Sequence, residues 1–161
     1  MQLRRARSEE HDALGELTVA AYEEFTGGAE DFYVERLRDV ARRDREAEVW
    51  VAEDEDGELL GCVTWCPPGS RWREISTPEQ GEFRMLAVAR TARGRGVGEA
   101  LIGLCESLST KTGATEMTIS TLESMGAAHR LYERLGYRRA PGLDWDPAPG
   151  VHLIAYAKEM S

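Results

Sequence analysis

Residues 82–112 read EFRMLAVARTARGRGVGEALIGLCESLSTKT. An apolar strand runs into a basic, glycine-rich turn and then into an amphipathic helix. Val97, Ala100, Leu101, Leu104, Cys105 and Leu108 recur at the spacing of one stripe at 3.6 residues per turn. Gly113 supplies the stop.

The first turn of a helix has backbone N–H groups without intrahelical partners and carries the positive end of the dipole. Here Gly94, Gly96 and Gly98 bring no side chain to cover that end, and Arg93 and Arg95 add positive charge. The constellation suits a phosphate or pyrophosphate. A Walker loop is excluded because no Gly-Lys-Ser/Thr follows the glycines. A dinucleotide fingerprint is excluded as well: counting from Gly94 the sixth residue is Glu99, and from Gly96 it is Leu101, where Gly or Ala is needed. The plainer alternative is a tight turn with two solvated arginines.

The pattern that fits is Arg-x-x-Gly-x-Gly, at Arg93, Gly96 and Gly98, after the strand MLAV. With the segment LYERLGY at 131–137, the order of elements and the chain length, the sequence closely resembles the GNAT superfamily of acyl-CoA-dependent N-acetyltransferases. The resemblance covers nearly the whole chain and is weakest at the N-terminal helices. It implies one GNAT domain over residues 1–161, of the α/β (α+β) class, with a mixed, mostly antiparallel sheet, about four helices and a central parallel strand pair splayed around the cofactor. It also implies acetyl-CoA as cosubstrate, held by the main chain of Leu86, Ala87 and Val88 and by the turn Arg93, Gly94, Arg95, Gly96, Val97, Gly98 and Glu99. Glu82 stands where relatives often place a general base, and Tyr132 where they often place the general acid facing the CoA sulfur. The residue types also allow a strand glutamate paired with Arg84 or facing solvent, and a core tyrosine. Glu123, in a turn after a strand, is a second carboxylate candidate. One departure is Met125, at a position seven residues before the tyrosine where many relatives carry asparagine.

At 161 residues, 42% hydrophobic and 30% charged, the chain is long enough to bury a core without disulfides or metals. No apolar run approaches a membrane span, and the start lacks a signal-peptide core, so cytoplasmic residence and no membrane partner are expected. A net charge of -9 argues against nucleic acid and makes an amine-bearing acceptor easier to accommodate. Cys62, Cys66 and Cys105 read as small core residues, and the scattered His11, His129 and His152 indicate no metal site.

In chain order, residues 3–7 predict a strand, and Ser8 an N-cap for a helix with Leu14, Leu17, Thr18, Ala21, Tyr22 and Phe25 on one face, ended by Gly27 and Gly28. A second helix is predicted over about 31–43, with the charged residues after it as a solvated connection. Residues 47–53 and 58–66 predict an antiparallel hairpin, and 67–80 a loop that could wall the acceptor side. A strand at 116–121, a helix through Ala127, Ala128, Leu131 and Leu135, a strand from Tyr137, a loop over 141–150 and a last strand complete the reading.

Acetyl transfer to an amine needs an unprotonated nitrogen, a donor for the developing oxyanion and a proton for the departing thiolate. The expected activity is therefore direct N-acetylation of a small-molecule, peptide or protein amine in a ternary complex. A non-catalytic acyl-CoA sensor is the alternative: it needs the turn but neither Glu82 nor Tyr132. GNAT domains are frequently dimeric, so a homodimer is compatible with the resemblance.

Overall fold

β4 (Gln80–Val88) is the strand on which the architecture turns, and it is the predicted one extended by two residues at its start. In the computed structural model, which describes residues 1–26 and 32–161, it lies inside an eight-stranded sheet. β1 (Gln2–Arg5), β2 (Glu48–Glu53) and β3 (Leu59–Cys66) precede it in consecutive antiparallel pairs. On its other side come β5 (Glu116–Leu122) and β8 (Val151–Glu159), with β6 (Arg138–Arg139) and β7 (Trp145–Ala148) both paired to β8. Among the described residues only β4 and β5 run parallel. The helices are α1 (His11–Tyr22), α2 (Phe32–Arg38), α3 (Val40–Glu46), α4 (Val97–Lys111) and α5 (Gly126–Arg134). The mixed, mostly antiparallel sheet with one parallel pair is the expected one.

A register shift in β4 governs both faces of the sheet. Cys62 faces Ala87 and Thr64 faces Arg84, so two steps along β3 match three along β4. The extra residue is a β-bulge, and Met85 within it has φ 54°. Because strand side chains alternate with period two, the bulge exchanges faces. Phe83, before it, packs in the core with Leu101, Ile102 and Tyr132 from α4 and α5, as do Leu86 and Val88 after it. Met85 and Ala87 instead join Leu14, Leu37 and Val40 on the face covered by α1, α2 and α3. Cys62 and Cys66 belong to that second core and Cys105 to the first, all three buried, as the sequence suggested.

Four local readings change. The second predicted helix is two, because Asp39 leaves helical geometry (φ -81°, ψ 67°) and its carboxylate caps α3 by accepting from the Arg42 N–H at 3.2 Å. The count is thus five α-helices among the described residues, where about four were expected; the predicted stop at Gly27 and Gly28, and the predicted start at Asp31, lie outside those residues. Second, the charged stretch after the predicted helix is not all solvated. Arg43 is 1% exposed. Its guanidinium donates to the carbonyls of Arg36 and Leu37, which α2 leaves open at its end, and to Thr64 Oγ1 at 3.1 Å. Third, part of the predicted loop at 141–150 forms β7. Pro147 is tolerated there because the strand pairs only with β8. At the N-terminus, the side-chain cap falls to Glu10, which accepts from the Arg7 N–H at 2.9 Å, rather than to Ser8.

Among the described residues no helix is long and apolar enough to cross a membrane. Arg43→Met leaves buried acceptors unpartnered at about 1–3 kcal/mol each. Urea unfolding should show a loss of about 2 kcal/mol or more, against less than about 1 kcal/mol for Arg42→Met, which removes an exposed pair with Glu46.

Candidate active site

Parallel pairing of β4 with β5 covers only Gln80–Glu116, Gly81–Met117 and Glu82–Thr118. Beyond those three pairs β5 continues on β8 alone, through Leu122. The strands therefore part, and the backbone of residues 83–88 on that side has no ladder partner. A cavity of about 240 Å³ occupies the gap, lined by Phe83 and Leu86 of β4, Ile119 and Thr121 of β5, and Tyr132 of α5. β7 adds Pro147 and Ala148 to the wall, held against β5 by a Trp145 Nε1–H bond to Ser120 Oγ at 3.2 Å.

The glycine-rich turn lies where β4 feeds α4. Gly94 and Gly96 both have φ 79°, a left-handed conformation that disfavours any residue with a Cβ. A Cβ built on either meets nothing within 4 Å, so both backbones face open space. Ala100 N donates to Gly96 O at 3.0 Å, while the N–H groups of residues 94–99 donate to no group among the described residues. Arg93 and Arg95 are exposed and form no ion pair among those residues, and Glu99 is exposed in the first turn of α4. This row of open amides with two cations beside it fits a diphosphate. Gly98 differs from its neighbours. It is buried, and a Cβ there would stand 3.1 Å from Leu131 Cδ2, so its lack of a side chain serves the packing of α5 on α4. Val97 is buried as well and offers only its main chain outward.

Along β4, Leu86 faces the cavity, Val88 lies under the start of α4, and Ala87 turns into the opposite core. Tyr132 lines the cavity at 5% exposure, with Phe83, Tyr137 and Tyr156 at ring-centroid distances of 6.3, 6.0 and 5.8 Å. Burial pushes its phenol well above the ordinary value, which keeps the proton on the oxygen, and that hydroxyl has no hydrogen-bond partner among the described residues. Met125 lines the cavity too.

Glu82 is fully buried and does not line the cavity. Its carboxylate accepts from the backbone N–H groups of Glu74, Ile75 and Ser76 at 3.0–3.3 Å and from Ser76 Oγ at 2.7 Å. The carboxylate's visible task is to fix the loop before β4. Glu123 is exposed on a turn and stands away from the cavity wall.

Sequence reasoning missed the polar end of the cavity. Glu74 from the loop, Arg84 from β4, and Tyr33 and Arg36 from α2 all line it. Arg84 Nε lies 3.1 Å from Glu74 Oε1, and its guanidinium lies 5.4 Å from the centre of the Trp72 ring. A charged residue in the middle of an otherwise apolar strand was the available signal for Arg84. Glu74 sits in a stretch without periodicity, marked only as a candidate wall. Among the described residues, no group of three or more His, Cys, Asp or Glu is placed to hold a metal ion.

Residues 45–139 match the model of the acetyltransferase (GNAT) domain. An uncharacterized N-acetyltransferase of Schizosaccharomyces pombe is 33% identical over 101 residues, covering 63% of this chain and 58% of the relative, so the match spans under two thirds of that protein. Among solved structures, an acetyltransferase of the GNAT family from Staphylococcus aureus Mu50 superposes with a TM-score of 0.77 at 11% identity, over 99% of each chain. An aminoglycoside 6'-N-acetyltransferase complexed with coenzyme A superposes with a TM-score of 0.68 at 19% identity, over 99% of this chain and 97% of the other. With the domain match spanning more than half of its length and the fold agreeing throughout, the chain belongs to the GNAT family of acetyltransferases.

Proposed function

We propose that this chain transfers the acetyl group of acetyl-CoA to a primary amine of a small molecule or peptide, by direct attack in a ternary complex. The observation that carries the reading is one cavity in the strand gap, reaching from Leu86, beside the glycine-rich turn, past Tyr132 to a polar end at Glu74 and Arg84. A diphosphate on the amides of 94–99, flanked by Arg93 and Arg95, would start the acyl carrier at that turn. The unpaired backbone of residues 86–88 would then take the amides of its arm, and a β4 N–H would face the developing oxyanion. Tyr132, buried and protonated, is the proposed proton donor to the departing sulfur.

Glu82 serves this scheme by holding residues 74–76 against the acceptor end through the bonds described above. The sheet continues without a break from β1 to β6, which supports reading residues 1–161 as one domain.

Thiol release from acetyl-CoA over a broad amine panel tests the activity. Turnover with at least one primary amine is expected, and coenzyme A binding without turnover on any amine would favour a sensor. Gly96→Val puts a branched side chain at φ 79° into the space assigned to the diphosphate. Calorimetry should find coenzyme A affinity reduced at least 100-fold, and parental affinity would refute the assignment of the turn. Tyr132→Phe should lower kcat by about 10²-fold while the dissociation constant for coenzyme A changes less than threefold.

A further inference from the structure

The amine acceptor must lose a proton before it can attack, and Glu82, fully buried and tied to the loop it anchors, does not line the cavity. Resting on the acetyltransferase reading above, we propose that Glu74 is a catalytic residue: its carboxylate receives the acceptor ammonium at the polar end of the cavity and takes its proton.

Four observations converge on Glu74. Its side chain lines the cavity that also holds Tyr132, at 15% exposure, so it is accessible from the gap and largely shielded from bulk water. Its two oxygens are inequivalent: Oε1 lies 3.1 Å from Arg84 Nε, while Oε2 has no partner among the described residues. Its backbone is held in place, because both Glu82 oxygens accept from the Glu74 N–H, at 3.1 and 3.0 Å. The partner Arg84 is itself fixed, by an NH1 bond to Trp72 O at 3.4 Å and by contact with the Trp72 ring. A short loop with no regular structure is thus immobilised from two sides at the residue that lines the cavity with a carboxylate oxygen unpartnered among the described residues.

The surroundings suit a proton acceptor near neutral pH. Burial pushes the Glu74 carboxyl up, Arg84 opposes it, Glu82 adds to it and Arg36 opposes it, with an upward result. Arg84 and Glu82 face it from β4, and Arg36 and Tyr33 from α2, with the Tyr33 hydroxyl against the Arg84 guanidinium. Arg84 stays charged although burial disfavours its cation, because Glu74 and its other anionic neighbours outweigh that cost.

The protons balance. The acceptor ammonium gives one proton to Glu74 Oε2. The freed lone pair forms the N–C bond to the acetyl carbon while the C–S bond breaks. The sulfur takes the proton of Tyr132, and the second nitrogen proton restores that phenol. Glu74 ends with the single proton that the net reaction releases to water.

The test compares the parent, Glu74→Gln and Glu74→Asp on the best acceptor from a panel of tyramine, histamine, spermidine and a short peptide, between pH 6 and 9.5. Glu74→Gln should lose at least 100-fold in kcat/KM at pH 7, with the coenzyme A dissociation constant within twofold of the parent as the control for folding. The parental acid limb should disappear in this variant, and its deficit should shrink as pH approaches the amine's own pKa; Glu74→Asp should recover part of the rate. A Glu74→Gln enzyme with the parental pH profile overturns the assignment while leaving the acetyltransferase reading intact. If the parent acetylates none of the four, the function reading stands or falls separately on the broad amine panel, and the carboxyl carbon resonance of Glu74 in the CoA-loaded protein decides this point. A titration above the ordinary carboxylate range that shifts on adding tyramine supports a cation-receiving carboxylate, and indifference to tyramine refutes it.

Discussion

Two neighbouring parallel strands that pair over three residues and then separate leave a row of backbone donors and acceptors with no ladder partner among the described residues. Buried backbone groups in that state are costly unless something else satisfies them, and only a ligand or water can do so inside a sheet. The separation is set by β4, where the bulge at Met85 bends the strand and changes which face each following side chain covers. A non-glycine residue at φ 54° costs about 1–3 kcal/mol, and such strain persists only where surrounding packing holds it. Here the packing comes from both cores, since Phe83 is locked on one side of the sheet and Met85 and Ala87 on the other. The gap, the cavity within it and the path from β4 to the glycine-rich turn all follow from that displaced residue.

Charge is distributed in keeping with this geometry. The chain is acidic overall, yet two exposed arginines with no ion-pair partner among the described residues stand beside the open amides at the start of α4. At the far end, Glu82, Glu74 and Arg84 are taken out of water together, each compensated by hydrogen bonds or by an opposite charge. Burying such groups is expensive and seldom the most stabilising use of core volume. An apolar set would fill the same space at lower cost, and the excess is in keeping with the acceptor-receiving role proposed for Glu74. Arg43 contrasts with it: more deeply buried than Glu74 or Arg84, it is spent on the open carbonyls at the end of α2 and does not line this cavity.

The sequence disclosed what is periodic or local. The stripe of α4, the turn at 94–98, the β2–β3 hairpin and the parallel relation of β4 to β5 follow from spacing and from glycine placement alone. Tyr132 was legible as a candidate because its motif is contiguous. Hidden were features that depend on distant contacts: the bulge, which no residue type signals, since Met85 is an unremarkable strand residue, and the loop fixed by Glu82. Glu82 read as a possible base through the family resemblance of its strand position, whereas the three N–H groups it satisfies lie in a stretch with no pattern. Likewise β7 was invisible because its strand character comes from pairing with β8, and Pro147 argued locally against it.

The central claim is that the amides bared at 94–99 and along the unpaired edge of β4 are the seat of the acyl carrier. Backbone hydrogen exchange of the intact chain with and without saturating coenzyme A addresses it residue by residue. The account predicts slowed exchange concentrated at 94–99 and 86–88, with little change along β1–β3. Protection confined to other elements, or none at all despite measurable binding, would contradict it.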